Sequence, residues 1–387
     1  MMTRASKGEK RVLLVDTGFA ARPIYDWLIG EGLPVWVMGN RPEDIVARKA
    51  GKYYIQQDYS DVGAVQRHVD RLGITHVVPG CTDVSIETCV RLRTPGTQLD
   101  TPNACARLGH KAAFRELCAR LDVPSPRVIG VESLPYPGAI VAKPVDSFSG
   151  KGVTIFEGSD LAAAEAALAA ARKVSPSGQA LLETFARGQL HSYSAFLADR
   201  KVTDAFVVEE GSSANPFAVD TSYVSDRLPA EILEVLRNNV EKIAAALALV
   251  DGLIHVQFIW DGQNPHVIEV MRRCPGDLYS MIIEYSTGYR YAGKYASYFV
   301  GHACDAKQIR NDYILRHTIT TDASAFGGVF FDPPANVIAY YPLASLGYVP
   351  EPGRINRVGL LFLNPGSRDA LCETYGQFVS RSAYQTN

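Results

Sequence analysis

Apolar positions along this chain follow two rhythms, and the change from one to the other divides it. Residues 11–16 form an apolar run closed by a Thr17-Gly18 turn, and 35–38, 53–57 and 76–78 are further short apolar runs. Between them, residues 22–30 and 62–72 carry apolar side chains at three- and four-residue steps. Strands alternating with helices predict a small, Rossmann-like parallel sheet over residues 1–105. Gly18 stands alone after the first run, so the G-x-G-x-x-G turn that cradles a dinucleotide is missing and no nicotinamide site is expected. Helical spacing around residues 104–121 links this unit to the next.

From about residue 135 the pattern becomes that of antiparallel strands. Residues 139–142 and 153–156 read as strands flanking a polar, glycine-containing loop, and 180–185 as another strand. Ser159 or Asp160 is placed to cap an alanine-rich helix that runs to about Lys173. Residues 192–198 and 202–208 predict a hairpin turning near Asp199-Arg200. Pro229 opens a helix in which Ile232, Leu233, Leu236, Val240, Ile243 and Leu247 share one face. Residues 253–260 and 266–271 predict a second hairpin around the loop Asp261 to Pro265, and a helix begins at Tyr279. The last 60 or so residues read as mixed α/β structure.

Composition removes several classes of function. A chain of 387 residues suits two or three packed domains. It is 47% hydrophobic and 21% charged, which is a globular balance. The formal net charge is −2 and no run of Lys and Arg occurs, so a nucleic-acid partner is not expected. The seven cysteines are scattered without a C-x-x-C pair, which argues against a zinc site or a disulfide framework and for reduced thiols in a cytoplasmic protein. Asp16 interrupts the first apolar stretch too early for a signal-peptide core. No apolar run approaches the roughly 20 residues of a membrane helix, so no membrane partner is expected.

Three segments carry candidate chemistry. Lys143 ends an apolar strand, where a buried ammonium is costly unless an anion meets it. After it come Ser147, Phe148, Ser149, Gly150, Lys151 and Gly152, a loop able to fold backbone N–H groups over phosphates. It is not a Walker loop, because Val145 stands at the first glycine position of that pattern and Gly152 at its final one. An ordinary hairpin with a surface lysine is the plain alternative. In the 253–271 hairpin, a five-residue loop would pair residue 260 with 266 and set Gln257 opposite Glu269 on one sheet face. Two oxygen donors at cross-strand distance suit a hard cation that takes its other ligands from phosphates and water; a buried Gln–Glu hydrogen bond is the alternative. Arg272 and Arg273 follow at once and suit a phosphate or a substrate carboxylate, unless they are solvated surface charge. Thr82, Asp83 and Glu87 lie past the fourth strand, either facing a ligand crevice or capping a helix. His191, His255 and His317 read as packed histidines, and the tyrosines between 279 and 298 as core or a dimer face.

Taken in order, Lys111, Lys143 with its glycine loop, Glu183-Thr184-Phe185, Gln257, Glu269 and Arg273 resemble the ATP-grasp superfamily. The closest look is to its carboxylate–amine ligase branch, which includes L-amino-acid ligases and carbamoyl-phosphate-synthase-like proteins. The match covers roughly residues 75 to 300. The resemblance implies an N-terminal pre-ATP-grasp domain (1–105), a small lid subdomain with linker helices (106–200), a large subdomain with the metal site (201–320) and a C-terminal α/β tail packed on the core (321–387). It implies an α/β (α+β) fold in which ATP lies between antiparallel sheets. Lys111 and Lys143 are then phosphate-binding lysines, and Ser147, Ser149, Gly150, Lys151 and Gly152 belong to a loop over the β- and γ-phosphates. Glu183, Thr184 and Phe185 meet the adenine edge. Gln257 and Glu269 hold magnesium, or manganese in its place, and Arg273 steadies an acyl phosphate.

The implied reaction joins a small-molecule carboxylate to an amine with release of ADP and phosphate. A phosphotransferase, a carboxylase or a catalytically weak ATP-binding protein are the alternatives. Three positions depart from the resemblance: Gln257 where many relatives carry an acid, Leu190 in the place of a ribose-contacting glutamate, and Met271 where an asparagine is common. A homodimer is the default expectation for assembly.

Overall fold

A computed structural model describes residues 10–147, 150–332, 335–352 and 354–387. Four strands open the chain: β1 (Val12–Val15), β2 (Val35–Gly39), β3 (Tyr54–Gln56) and β4 (His76–Pro79). They are parallel, in the order β3-β2-β1-β4. All four residues of β1 are buried, as expected of a central parallel strand covered on both faces. The helix Arg22–Gly30 packs on the helix Tyr291–Val300. There Gly293 leaves room for Trp27, whose Cδ1 would lie 2.6 Å from any Cβ at 293. The N-terminal sheet and one face of the largest sheet thus share a single apolar core.

The next four strands form a separate small sheet: β5 (Val128–Ile129), β6 (Ala139–Pro144), β7 (Thr154–Glu157) and β8 (Ala180–Thr184), in the antiparallel order β5-β8-β6-β7. The helix Leu161–Val174 covers one face of it. Asp160 caps that helix by accepting the Ala163 N–H at 2.9 Å. The core of this unit, with Ile140, Ala142, Leu168 and Leu182, is made of its own residues alone.

The remaining strands are β9 (Gln189–Ala198), β10 (Lys201–Gly211), β11 (Thr221–Val224), β12 (Gly252–Trp260), β13 (Pro265–Met271), β14 (Leu315–Thr321), β15 (Val329–Phe331), β16 (Val337–Pro342), β17 (Asn356–Leu363) and β18 (Tyr384–Thr386). Eight of them build one antiparallel sheet, β13-β12-β9-β10-β11-β14-β17-β16, and β15 pairs with β18. One face buries Leu236, Val240 and Ile243 of the helix Ala230–Ala246 together with Phe114 and Leu117 of the helix Lys111–Leu121. The other face meets the N-terminal unit.

Two expected boundaries move. Residues 189–198, assigned to the small unit, are β9 of the large sheet, so a division at 200 would cut the β9–β10 hairpin. The 321–387 segment is not only packed against the core. Its β16 and β17 extend the large sheet through β14, and this pairing between distant segments leaves no local pattern. Among the described residues no helix is long and apolar enough to cross a membrane.

Candidate functional site

Alternation along β6 and β8 decides which side chains leave the small sheet. Ile140, Ala142 and Leu182 point to the covering helix, so Lys143 and Glu183 point to the other face. Both are buried, and Lys143 Nζ lies 2.5 Å from Glu183 Oε2. Arg115, one turn past Lys111 on the same helix, brings its Nε to 2.8 Å from Glu183 Oε1. Burial, with the Arg115 charge added, pulls the Lys143 ammonium down to about 8 against the opposing pull of Glu183. Arg115 was not singled out in the sequence, although its spacing of four from Lys111 puts both on one helical face.

Lys111 closes the base of the loop after β6. Its Nζ donates to the Ser147 carbonyl at 2.6 Å and its backbone N–H to the Val145 carbonyl at 3.2 Å. His110 caps the helix from the preceding position, its Nδ1 accepting the Ala113 N–H. Ser149 lies outside the described residues. Gly150 and Gly152 adopt φ of +68° and +73°, where a side chain is strained. A Cβ on Gly150 would lie 2.3 Å from Phe217 Cβ, so the loop rests directly on the β10–β11 connection. Lys151 is exposed. In the segment after Glu183, the Thr184 hydroxyl accepts the Arg127 N–H at 3.0 Å and the Phe185 N–H donates to the Ala139 carbonyl at 3.2 Å. The Arg187 guanidinium lies 5.5 Å from the Phe185 ring centre.

The β12–β13 hairpin sets Gln257 opposite Glu269, as the pattern predicts, but by a different route. Trp260 pairs with Pro265, not 266, because the Asp261 carboxylate accepts the N–H groups of Gln263 and Asn264 and tightens the turn to residues 261–264. The register is restored by a bulge at Ile268 between the Phe258–Val267 and Gln257–Glu269 pairs. The carbonyl of Ile268 accepts from Arg115 Nη2 at 2.8 Å. Arg115 therefore joins the small sheet to the residue before Glu269.

Glu269 is half-buried and makes no hydrogen bond or ion pair among the described residues. Gln257 Nε2 donates to Glu210 Oε2 at 2.8 Å. Glu210, at the end of β10, is buried. Burial foremost, with the Asp277 charge, pushes its carboxyl up to about 7, while the Ser192 hydroxyl, the Gln257 amide and Arg316 hold it down. Met271 faces His255 across the hairpin. His255 is buried, hydrogen-bonded to Ser194 Oγ at 3.2 Å and held neutral by burial, with a pKa pushed down to about 3.

The two arginines differ in commitment. Arg272 is buried, with Nε 2.7 Å from Asp100 Oδ2 and Nη2 2.6 Å from the Val250 carbonyl, and it also donates to the Leu253 carbonyl. It is a framework group, which corrects its expected role at an anion. Arg273 forms a two-pronged pair with Asp83, at 2.6 and 2.8 Å, and donates to the Cys81 and Cys274 carbonyls. Thr82 caps the helix Asp83–Cys89 by accepting the Ser85 N–H, so the two open readings of this segment divide between adjacent residues. Tyr279, Tyr289, Tyr291 and Tyr295 are buried in the shared core, as is Cys274.

No family model matches the sequence, and no curated protein matches it. Solved structures do. The chain is similar to phosphoribosylglycinamide synthetase from Anaerococcus prevotii, with a TM-score of 0.76 and 16% identity over 98% of this chain and 99% of that one. It is similar to L-amino acid ligase from Bacillus licheniformis, with a TM-score of 0.75 and 17% identity over 98% of both chains. It is also similar to the biotin carboxylase domain of 2-oxoglutarate carboxylase from Hydrogenobacter thermophilus, a dimer in complex with MgADP, ADP and bicarbonate. That match has a TM-score of 0.74 and 18% identity over 98% of this chain and 90% of that one. The chain has the ATP-grasp fold, and the likeness extends well beyond residues 75–300 to nearly its whole length.

Proposed function

We propose that this chain is an ATP- and magnesium-dependent ligase that converts a carboxylate into an acyl phosphate and joins it to an amine, releasing ADP and phosphate. The observation that carries this reading is the linkage Lys143–Glu183–Arg115–Ile268. It ties the lid sheet to the strand bearing Glu269, which faces Gln257 on the large sheet. A triphosphate held between the two sheets would meet Lys143 and the Gly150–Gly152 segment from one side and the oxygen donors from the other.

The donors fit a hard divalent ion. Glu269 has no competing partner among the described residues, and the Gln257 amide spends its N–H on Glu210, leaving Oε1 free to coordinate. Met271 adds only a thioether, a poor ligand for magnesium. Among the described residues no group of three or more His, Cys, Asp or Glu side chains could hold a metal, so phosphate oxygens would complete the shell. Magnesium bound there would neutralise charge on the β- and γ-phosphates. Lys111 and Lys143 place positive charge where the transferring phosphoryl group builds negative charge. Arg273, held by Asp83 and by the Cys81 and Cys274 carbonyls, keeps one Nη2 N–H and its positive charge for the acyl phosphate and the oxyanion formed when the amine attacks. The lid excludes water that would otherwise hydrolyse the acyl phosphate.

The similar structures include two ligases and several biotin carboxylase domains, so product mass is what separates amide formation from the other chemistries. The test is an ADP-release screen over carboxylates and amino acids, read by product mass. An amide that has lost water supports the ligase, and a product that has gained phosphate points to a phosphotransferase. Glu269→Ala and Lys143→Ala should each abolish amine-dependent ADP release in a folded protein. Full turnover in both sinks the assignment.

A further inference from the structure

Gln257 stands between two carboxylates on different strands. In the sheet order β13-β12-β9-β10, Glu269 lies on the neighbouring β13 and Glu210 two strands away on the opposite side. A carboxylate only accepts, so Glu210 takes the amide nitrogen of Gln257 at 2.8 Å. Oε1 of the same amide takes no hydrogen bond among the described residues, and the backbone pairing sets Gln257 opposite Glu269 on β13. Ser192 lies opposite Gln257 on the intervening strand β9. Tyr279 hydroxyl fixes Ser192 Oγ in turn at 3.0 Å. Glu210 is buried and has no ion-pair partner among the described residues, so its place is not spent on a salt bridge.

This arrangement also accounts for the glutamine. A glutamate at 257 would bring two carboxylates within hydrogen-bond distance, whereas glutamine converts that contact into a donor–acceptor pair.

We propose that Glu210 is the positioning residue of the cation site, locking the Gln257 amide so that its oxygen is presented beside Glu269. This rests on Gln257 and Glu269 being the cation ligands. Manganese binding, followed by electron paramagnetic resonance with a non-hydrolysable ATP analogue present, tests it without turnover. Glu210→Gln frees the Gln257 amide to rotate and should weaken manganese binding about tenfold or more, the loss typical of groups that orient metal ligands. The double variant Glu210→Gln/Gln257→Glu rebuilds the hydrogen bond with the charge exchanged and should recover most of that loss. Wild-type manganese affinity in Glu210→Gln, alongside loss of binding in Glu269→Ala, overturns the role of Glu210 and leaves the site standing. A double variant no tighter than the single one overturns it equally, including where the single variant folds poorly. Wild-type affinity in Glu269→Ala overturns the site itself.

Discussion

Arg115 Nη2 donates to the carbonyl of Ile268, the extra residue of the β13 bulge, while its Nε holds Glu183 in the lid. One guanidinium thus spans two sheets that share no strand pairing among the described residues. It does so at 3% exposure, where an unpaired charge is costly.

Arg115→Met leaves Glu183 with Lys143 as its only cationic partner and the Ile268 carbonyl without its donor. A loss of about 3–5 kcal/mol is expected for breaking a buried ion-pair network from one side. Urea unfolding checks it. Arg115→Met/Glu183→Leu removes the stranded charge and should recover part of the loss. A single variant as stable as wild type would mean that the network does not hold the lid.

Lys143 titrates near 8 in the free protein because burial opposes its charge. A bound polyphosphate favours the ammonium, so above pH 8 binding must take up a proton. ATP affinity should therefore be flat below pH 8 and fall up to about tenfold per pH unit above it. Calorimetry in two buffers of different ionisation heat checks this through proton uptake. Lys143→Arg, charged throughout, should remove the dependence.

Arg273 meets Asp83 through two parallel contacts that a lysine cannot reproduce. Arg273→Lys should lower kcat by about 100-fold, the scale of a lost oxyanion donor. KM for ATP should change little, because Arg273 is assigned to the acyl group and not to the nucleotide. An unchanged kcat with raised KM for ATP would reassign it.

His317 is buried between the Thr221 hydroxyl and the Tyr384 hydroxyl, with Asp220 favouring its charge and Arg316 and Arg381 opposing it. Burial pushes it down to about 3. Above pH 6.5 neither the folded nor the unfolded chain binds this proton. Between about 6.5 and 3 only the unfolded chain does, so stability falls as pH falls, by about 1.4 kcal/mol per pH unit from this residue. Urea unfolding at pH 7, 6 and 5 measures the slope, and His317→Asn should flatten it by one proton.

Local signals were legible where chemistry and geometry lie close in the chain. Asp160 caps the helix that its position predicts, and the expected pairing of Gln257 with Glu269 is found, through a register in which two one-residue departures cancel. The bulge was not legible, since it arises from a tighter Asp261 turn and offsets a one-residue error in the expected loop. Glu210 was missed because Glu209 and Glu210 look equivalent in sequence. The strand sends Glu209 to Tyr223 and Arg227 on one face and Glu210 to Gln257 on the other. Arg115 was missed because its partners lie 68 and 153 residues away. The widening of the large sheet by β14, β17 and β16 depends on the same kind of remote pairing.

The apolar interior of the lid is its own, whereas the interior of the first sheet is continuous with that of the largest one. Swinging the N-terminal unit away would pull Trp27 off Gly293 and expose oil to water, whereas displacing the small sheet would leave its own core covered. The small sheet is thus joined to the rest by polar contacts through Arg115, whereas the N-terminal unit and the largest sheet are joined by apolar packing. If the proposed triphosphate binds beneath the small sheet, its charge competes with Glu183 for Lys143 and Arg115, and the nucleotide itself would loosen the joint that holds that sheet.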